Sequence, residues 1–242
     1  MPEKPSAARF PTTCWGRILH VGDPAAPESR AALEGLCRDY WYPLYAFVRR
    51  QGHDPETAQD LVQGLFAHLL ERDDLRSLEP ERGRFRSFMM ACCTHYLARY
   101  HERERAARRG GGRVAIPIDA LVAESRFGGE PSHDLTAERL YERRWALTLL
   151  DHVLAGLDAE MARSDKQALY ERLRPGLLGQ GDGPSYQAIA DELSLTVGAV
   201  KMAAHRLRGR YRDRLRDEIA RTVADPAEID AEIQALLAVL GG

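Results

Sequence analysis

Lys201, Met202, His205 and Arg208 recur at spacings of three and four and so share one face of any helix that contains them. An ammonium, an imidazole and a guanidinium on one face do not make a nucleophile–base pair. They suit another chemistry, in which donors reach base edges in a DNA groove and cations neutralise phosphates. Lys201 and His205 are placed to read bases, while Arg206, Arg208, Arg210 and Arg212 are placed to hold backbone phosphates. That chemistry requires a short helix set into the groove by a second helix across a tight turn. Ile189, Leu193, Leu195, Val200 and Ala203 have the spacing to fill the angle between two such helices, and Ala190 is small enough for their close approach. Ser185 and Thr196 are N-cap residues for the first and second helix. Ser194 stands where a glycine commonly adopts positive φ, at a cost of about 1 kcal/mol. The pattern is that of a helix-turn-helix. A solvated basic helix in a bundle has the same apolar spacing, but the caps and the following arginines favour DNA.

A second basic stretch lies at 84–109. Arg99, Arg103, Arg105 and Arg108, with Arg109, supply cations for a nucleic-acid backbone along one long expected helix, Phe85 to Arg109. Its inward set is expected to be Phe88, Met89, Cys92, Tyr96 and Leu97. Phe88, Tyr96 and Tyr100 lie close enough to serve as platforms for unstacked bases, but their spacing reads as core.

The remaining composition bounds these readings. A chain of 242 residues suits two small domains, and 44% hydrophobic with 29% charged residues fits a globular protein. The net charge of −2 hides a segregated pattern, with carboxylates gathered at Asp54–Asp60 and Asp225–Glu232. Near-neutrality predicts weak DNA binding by the free chain and dependence on a partner. No apolar run is long enough for a membrane span and Met1–Arg9 lacks a signal-peptide core, so a cytoplasmic location is expected. Cys14, Cys37, Cys92 and Cys93 lack metal-ligand spacing and read as free thiols. No cofactor, metal or enzymatic activity is expected, since His, Cys and carboxylates are scattered.

Apolar residues recur at helical spacing through Leu33, Leu36, Cys37, Trp41, Leu44, Tyr45 and Val48, and again through Ala58, Leu61, Val62, Leu65, Phe66 and Leu69. Asp54-Pro55-Glu56 opens the second of these helices with a cap and a first-turn proline. Gly110-Gly111-Gly112 ends the basic helix, and the rhythm returns at Leu140, Trp145, Leu149, Val153 and Leu157. The fold expected is all-α: two small helical domains joined by a flexible linker, the second containing the helix-turn-helix. The expected divisions are an irregular 1–28, a helical domain 29–109, a linker 110–135, a helix-turn-helix domain 136–216 and a helical extension 217–242. Ile229, Ile233, Leu236, Leu237 and Leu240 give the extension an apolar stripe, expected to pack back on the helix-turn-helix domain.

Ser185-Tyr-Gln-Ala-Ile-Ala-Asp-Glu-Leu-Ser-Leu-Thr-Val-Gly-Ala-Val-Lys201, followed by His205-Arg-Leu-Arg208, resembles the fourth-region helix-turn-helix of extracytoplasmic-function sigma factors of the sigma-70 superfamily. Tyr40-Trp-Tyr-Pro-Leu-Tyr-Ala-Phe-Val-Arg-Arg50, Asp60-Leu-Val-Gln63 and Gly83-Arg-Phe-Arg-Ser-Phe88 are similar to the second region of that family. The resemblance covers roughly residues 29–216. It implies a factor that carries core RNA polymerase to promoter DNA. The second-region domain would dock on the clamp helices of the largest subunit, through Asp60, Leu61 and Gln63, and open the downstream, minus-ten element, through Arg99, Arg103, Arg105 and Arg108. The fourth-region domain would read the upstream, minus-thirty-five element, through Thr196, Lys201, Met202, His205, Arg206 and Arg208, and touch the flap of the second-largest subunit. A conventional helix-turn-helix regulator and a sigma-like adaptor without initiation activity are the competing readings.

One departure from the family pattern carries its own expectation. Thr57, Gln59 and Gly64 occupy positions that are commonly acidic in the family, and Gly64 costs the helix roughly 1 kcal/mol relative to alanine. Thr57 is therefore a candidate phosphorylation site for a Ser/Thr kinase, its phosphate supplying the missing charge near a helix N-terminus. An anti-sigma factor is the other regulator the resemblance suggests.

Overall fold

A computed structural model describes residues 27–71, 84–106, 120–129, 135–164, 166–177, 184–223 and 225–241. All regular structure among the described residues is helical. The α-helices are α1 (Pro27–Arg50), α2 (Pro55–Glu71), α3 (Phe85–Ala106), α4 (Ala120–Gly128), α5 (Ala137–Met161), α6 (Gln167–Leu173), α7 (Tyr186–Glu192), α8 (Val197–Ala220) and α9 (Ile229–Leu240). Short 3-10 turns follow α6 at Arg174–Leu177 and precede α9 at Pro226–Glu228. None of these helices is long and apolar enough to cross a membrane.

The chain divides into two compact units. The first contains the residues up to Leu147 together with those from Ala220 onward, and the second contains Thr148–Ile219. Two expectations are corrected by this division. The boundary falls inside α5 rather than before it, and the C-terminal segment belongs to the first unit, not to the helices around 185–216.

The first unit is built around α1. Every residue from Tyr40 to Val48 is buried, as in a helix with packed neighbours on all sides. Pro43 lies inside it. The aromatic side chains interlock: Trp41 stacks on Tyr45 with centroids 5.1 Å apart, and Tyr40 meets the Phe85 edge at 5.3 Å. Polar ends of these rings are satisfied internally, Trp145 Nε1 donating to Tyr40 Oη at 3.2 Å and Tyr141 Oη to the Arg86 carbonyl at 2.8 Å. Gly52, at φ +95°, turns the chain between α1 and α2. Asp54 then caps α2, accepting the Thr57 amide at 2.9 Å.

The inward face of α3 is Phe85, Met89, Cys93 and Leu97, all buried. The expected set was rotated from this by part of a turn, so Phe88, Cys92 and Tyr96 are only half-buried. Cys93 rather than Cys92 is the core thiol, and burial pushes it up to about 12. Gly64 has a packing reason. A Cβ there would overlap the Tyr96 hydroxyl, with ring Cζ at 3.2 Å. The α2 helix loses intrinsic propensity at Gly64 because the α3 tyrosine fills that space, so an acidic side chain could not be accommodated without displacing Tyr96.

Part of the expected linker is structured. Helix α4, inside 110–135, buries Ala123 and holds Glu124 against α1. Glu124 accepts from Tyr45 Oη at 2.6 Å and from Arg49 Nε and Nη2 at 3.0 and 2.6 Å. Arg126 lies 4.1 Å over the Tyr42 ring, and Arg49 lies 4.8 Å over that of Phe127. The hydrogen bond from Arg49 holds the Glu124 carboxyl below its ordinary value, while burial and the Glu124 bond push Tyr45 up to about 12.

The second unit closes over Leu157, Met161, Tyr170, Leu173, Ile189, Ala190, Val200, Ala204 and Leu207. Glu160 of α5 braces α8 across the outside of this core. It accepts from Arg210 Nη1 at 2.8 Å and Arg214 Nη2 at 2.7 Å, and the Arg214 hydrogen bond leads in lowering its carboxyl value.

Candidate nucleic-acid interface

Helices α7 and α8 meet through a four-residue turn whose geometry follows from its hydrogen bonds. Ser185 Oγ accepts the Ala188 amide at 3.1 Å, capping α7, and Thr196 Oγ1 accepts the Ala199 amide at 3.1 Å, capping α8. Between them the Leu195 amide reaches back to the Ala190 carbonyl at 2.9 Å, which requires a left-handed residue just before Leu195. Ser194 is that residue, at φ 53°, and it is the one non-glycine of positive φ among the described residues. Ser194→Gly is expected to stabilise the second unit by about 0.5–1 kcal/mol, read as a shifted denaturation midpoint. A destabilised variant would mean that the serine side chain makes a compensating contact.

The turn fixes which residues of α8 face inward. Val200, Ala204 and Leu207 are buried and Ala203 is half-buried. Leu195, expected among the fillers, is 40% exposed instead. Lys201, Met202, His205 and Arg208 are exposed, and Met202 is 55% exposed, a large apolar side chain presented beside two donors. Arg208 Nη2 donates to Tyr186 Oη at 2.7 Å, so α7 orients this guanidinium. Thr196 is also exposed, with its hydroxyl oxygen engaged in the cap.

Two of the arginines also border a second surface. Arg206 lines a groove on a different flank of α8, and Arg210 is held by Glu160 at that groove's edge. The groove has a volume of about 450 Å³ and is walled by Leu169, Leu173, Leu193, Leu195, Ala203 and Leu207, with Lys166 at its rim. It is apolar within and basic at its border. Its walls come from α6 and the α7–α8 turn as well as α8, and spacing within a single helix does not reveal such a surface.

In the first unit, Arg99 and Arg103 are exposed on α3 and flank Tyr96 and Tyr100. The side chain of Arg105, and all of Arg108, lie outside the described residues. Tyr100 is half-buried and meets His53 and His101, whose rings stack 5.2 Å apart. Burial, with His101 beside it, lowers the His53 value. These imidazoles were not read as site residues from the sequence, since they lie on separate elements.

The expected polymerase-contact residues separate. Asp60 is exposed and Gln63 half-buried, but Leu61 is 2% exposed and belongs to the core of the first unit, so it is not available to a partner. Thr57 Oγ1 donates to Asp54 Oδ2 at 2.7 Å. Together the Thr57 amide and hydroxyl hold the Asp54 carboxyl below its ordinary value. This contribution to α2 is present above the ordinary carboxylate value and fades as pH falls through the lowered one. No protein-family model, curated protein or solved structure matches the chain.

Proposed function

We propose that this chain is a sigma factor of the extracytoplasmic-function type, which directs core RNA polymerase to promoters and assists their opening. One observation carries the reading: a doubly capped helix pair, with positive φ at Ser194, that leaves Lys201, Met202, His205 and Arg208 exposed together on α8. This arrangement suits a helix-turn-helix whose second helix enters a major groove. Lys201 and His205 contact base edges, Met202 packs on an apolar base surface such as a thymine methyl, and Arg208 holds a phosphate. Arg206 and Arg210 are reassigned to the groove border.

The rest of the function is distributed over the other surfaces. The groove walled by Leu169, Leu173 and Leu195 is the site for an apolar segment of polymerase, the flap of its second-largest subunit. Asp60 and Gln63 on α2 face the clamp helices of the largest subunit. Arg99 and Arg103 hold backbone phosphates at the downstream element. Two separate DNA contacts on one chain add through effective concentration, which accommodates weak binding by the free protein. Run-off transcription with purified core polymerase and genomic promoter fragments tests the proposal. Start sites that depend on this chain support it. Tight sequence-specific binding by the chain alone, without any such start site, replaces it with a conventional regulator.

Thr57 remains the residue through which a Ser/Thr kinase would act, but its environment changes the expected consequence. A phosphate there replaces the hydroxyl that donates to Asp54 and sets a second anion beside that carboxylate. Thr57→Glu is expected to raise affinity for core polymerase while weakening the start of α2. Unchanged affinity in a titration against labelled core polymerase would remove Thr57 from the regulatory scheme.

A further inference from the structure

The first turn of α3 contains no carboxylate; Arg84 immediately precedes it and Arg86 lies within it, at the positive end of a 22-residue helix. The anion that faces this pair comes from the far end of the chain. Glu232, on α9, lies 2.7 Å from Arg84 Nε and also pairs with Arg86. Its side chain is 1% exposed and that of Arg86 5%, while that of Arg84 is 37% exposed to solvent. Arg86 is further fixed by the Trp145 ring, 4.7 Å below its guanidinium.

The carboxylate fits this place incompletely. Arg86 Nε is buried without a hydrogen-bond partner, and Glu232 Oε2 meets Arg84 Nε as an ion pair without hydrogen-bond geometry. Burial pushes the Glu232 carboxyl up, against the opposing pull of Arg86 and Arg84. Two guanidiniums beside a helix N-terminus offer more donors than one carboxylate can accept, and a phosphodiester presents the same forked pair of anionic oxygens with which to take the carboxylate's place. The helix that delivers Glu232 is lightly held. Only Glu232 and Leu236 of α9 are fully buried, and Leu237 is 53% exposed.

We infer that Arg84 and Arg86 form a nucleic-acid phosphate site, and that Glu232 is an internal competitor which the C-terminal helix seats in it. The inference rests on the nucleic-acid reading above and deepens it. The C-terminal segment is then a brake on the first unit: with α9 docked, two cations of the basic stretch are neutralised within the chain, and with α9 displaced they are returned to DNA.

Binding of the full-length chain to a fluorescein-labelled duplex of arbitrary sequence, followed by anisotropy across a salt series, tests this. Glu232→Gln is expected to tighten binding about tenfold at 0.1 M salt and to steepen the salt dependence by about 0.9 for each phosphate newly neutralised. Leu236→Ala, which loosens α9 without touching the ion pairs, is expected to move both readings the same way by less. It serves as the independent arm should Glu232→Gln unfold. Adding Arg84→Gln to Glu232→Gln returns about half of the change in slope. Glu228→Gln, which removes the same charge from an exposed neighbouring position, leaves the slope as in the wild type.

Unchanged slope in both Glu232→Gln and Leu236→Ala overturns the inference, as does an equal change in Glu228→Gln. Displacement of the duplex by millimolar inorganic phosphate at matched ionic strength overturns the assignment to nucleic acid. The two proposals fail separately. Unchanged slopes beside chain-dependent transcription sink the brake alone, and steeper slopes without transcription sink the sigma reading alone.

Discussion

Lys201→Glu combined with His205→Glu is expected to abolish chain-dependent transcription from promoters that need an upstream element, while leaving the melting temperature within about a degree of wild type. On the proposed function each lost base-edge contact is worth about 1–3 kcal/mol, so two lost contacts reduce promoter occupancy by between about 30-fold and 2 × 10⁴-fold, and the introduced carboxylates add repulsion from phosphate. Stability is spared because both side chains are exposed on α8, outside the core of the second unit. Run-off transcription and thermal unfolding of the same preparation check the two halves. Transcription that persists at half the wild-type level or more would mean that α8 does not read DNA through this face. Affinity for core polymerase is expected to be unaffected, which separates a failure to read the promoter from a failure to join the enzyme.

The second large effect separates two leucine-sized residues that spacing alone treats alike. Ile189→Ala is expected to cost about 2–5 kcal/mol, because Ile189 is 1% exposed and its truncation leaves a cavity among Leu157, Val200 and Leu207. Leu195→Ala is expected to cost less than about 1 kcal/mol, because Leu195 is 40% exposed on the groove wall and leaves no sealed void. Urea denaturation monitored by circular dichroism gives both values. The order reverses only if the groove is closed by another part of the chain in solution. For the same reason Leu195→Ala is the better probe of the groove, since it alters the groove wall without emptying the core.

Local signals in the sequence were enough for the α7–α8 turn. Ser185, Ser194 and Thr196 each act within a few residues of their own position, so capping and positive φ are written in the immediate neighbourhood. The opening of α2 at Asp54-Pro55 was legible for the same reason. Periodicity placed α3 but not its phase. Apolar residues at Phe88, Met89, Cys92 and Cys93 spread over an arc of about 140° of the helix, and packing against α1 selected Met89 and Cys93. Gly64 shows a similar limit, because propensity reads a missing side chain as a weakness while the space belongs to Tyr96, on another helix.

Contacts distant along the chain left no mark that spacing could reveal. Asp119 ahead of Ala120-Leu121-Val122-Ala123 is a helix-start signal, but the surrounding glycines and prolines masked it, and the partners of Glu124 are on α1. Glu232 looked like one more surface carboxylate in an acidic segment, and its partners Arg84 and Arg86 are some 146 residues away. The imidazole pair of His53 and His101 was hidden in the same way. Each of these features needs two elements to be brought side by side before either residue acquires a role.

The return of Ala220–Leu240 to the first unit sets an order of events on the ribosome. Helices α1 to α4 leave the exit tunnel early, yet the carboxylate that neutralises Arg84 and Arg86 is synthesised only after all of α6, α7 and α8. At about 5–20 residues per second the nascent chain spends several seconds with that arginine pair uncovered. A messenger truncated by a nonsense codon after α8 would release a polypeptide that never acquires the missing counter-charge.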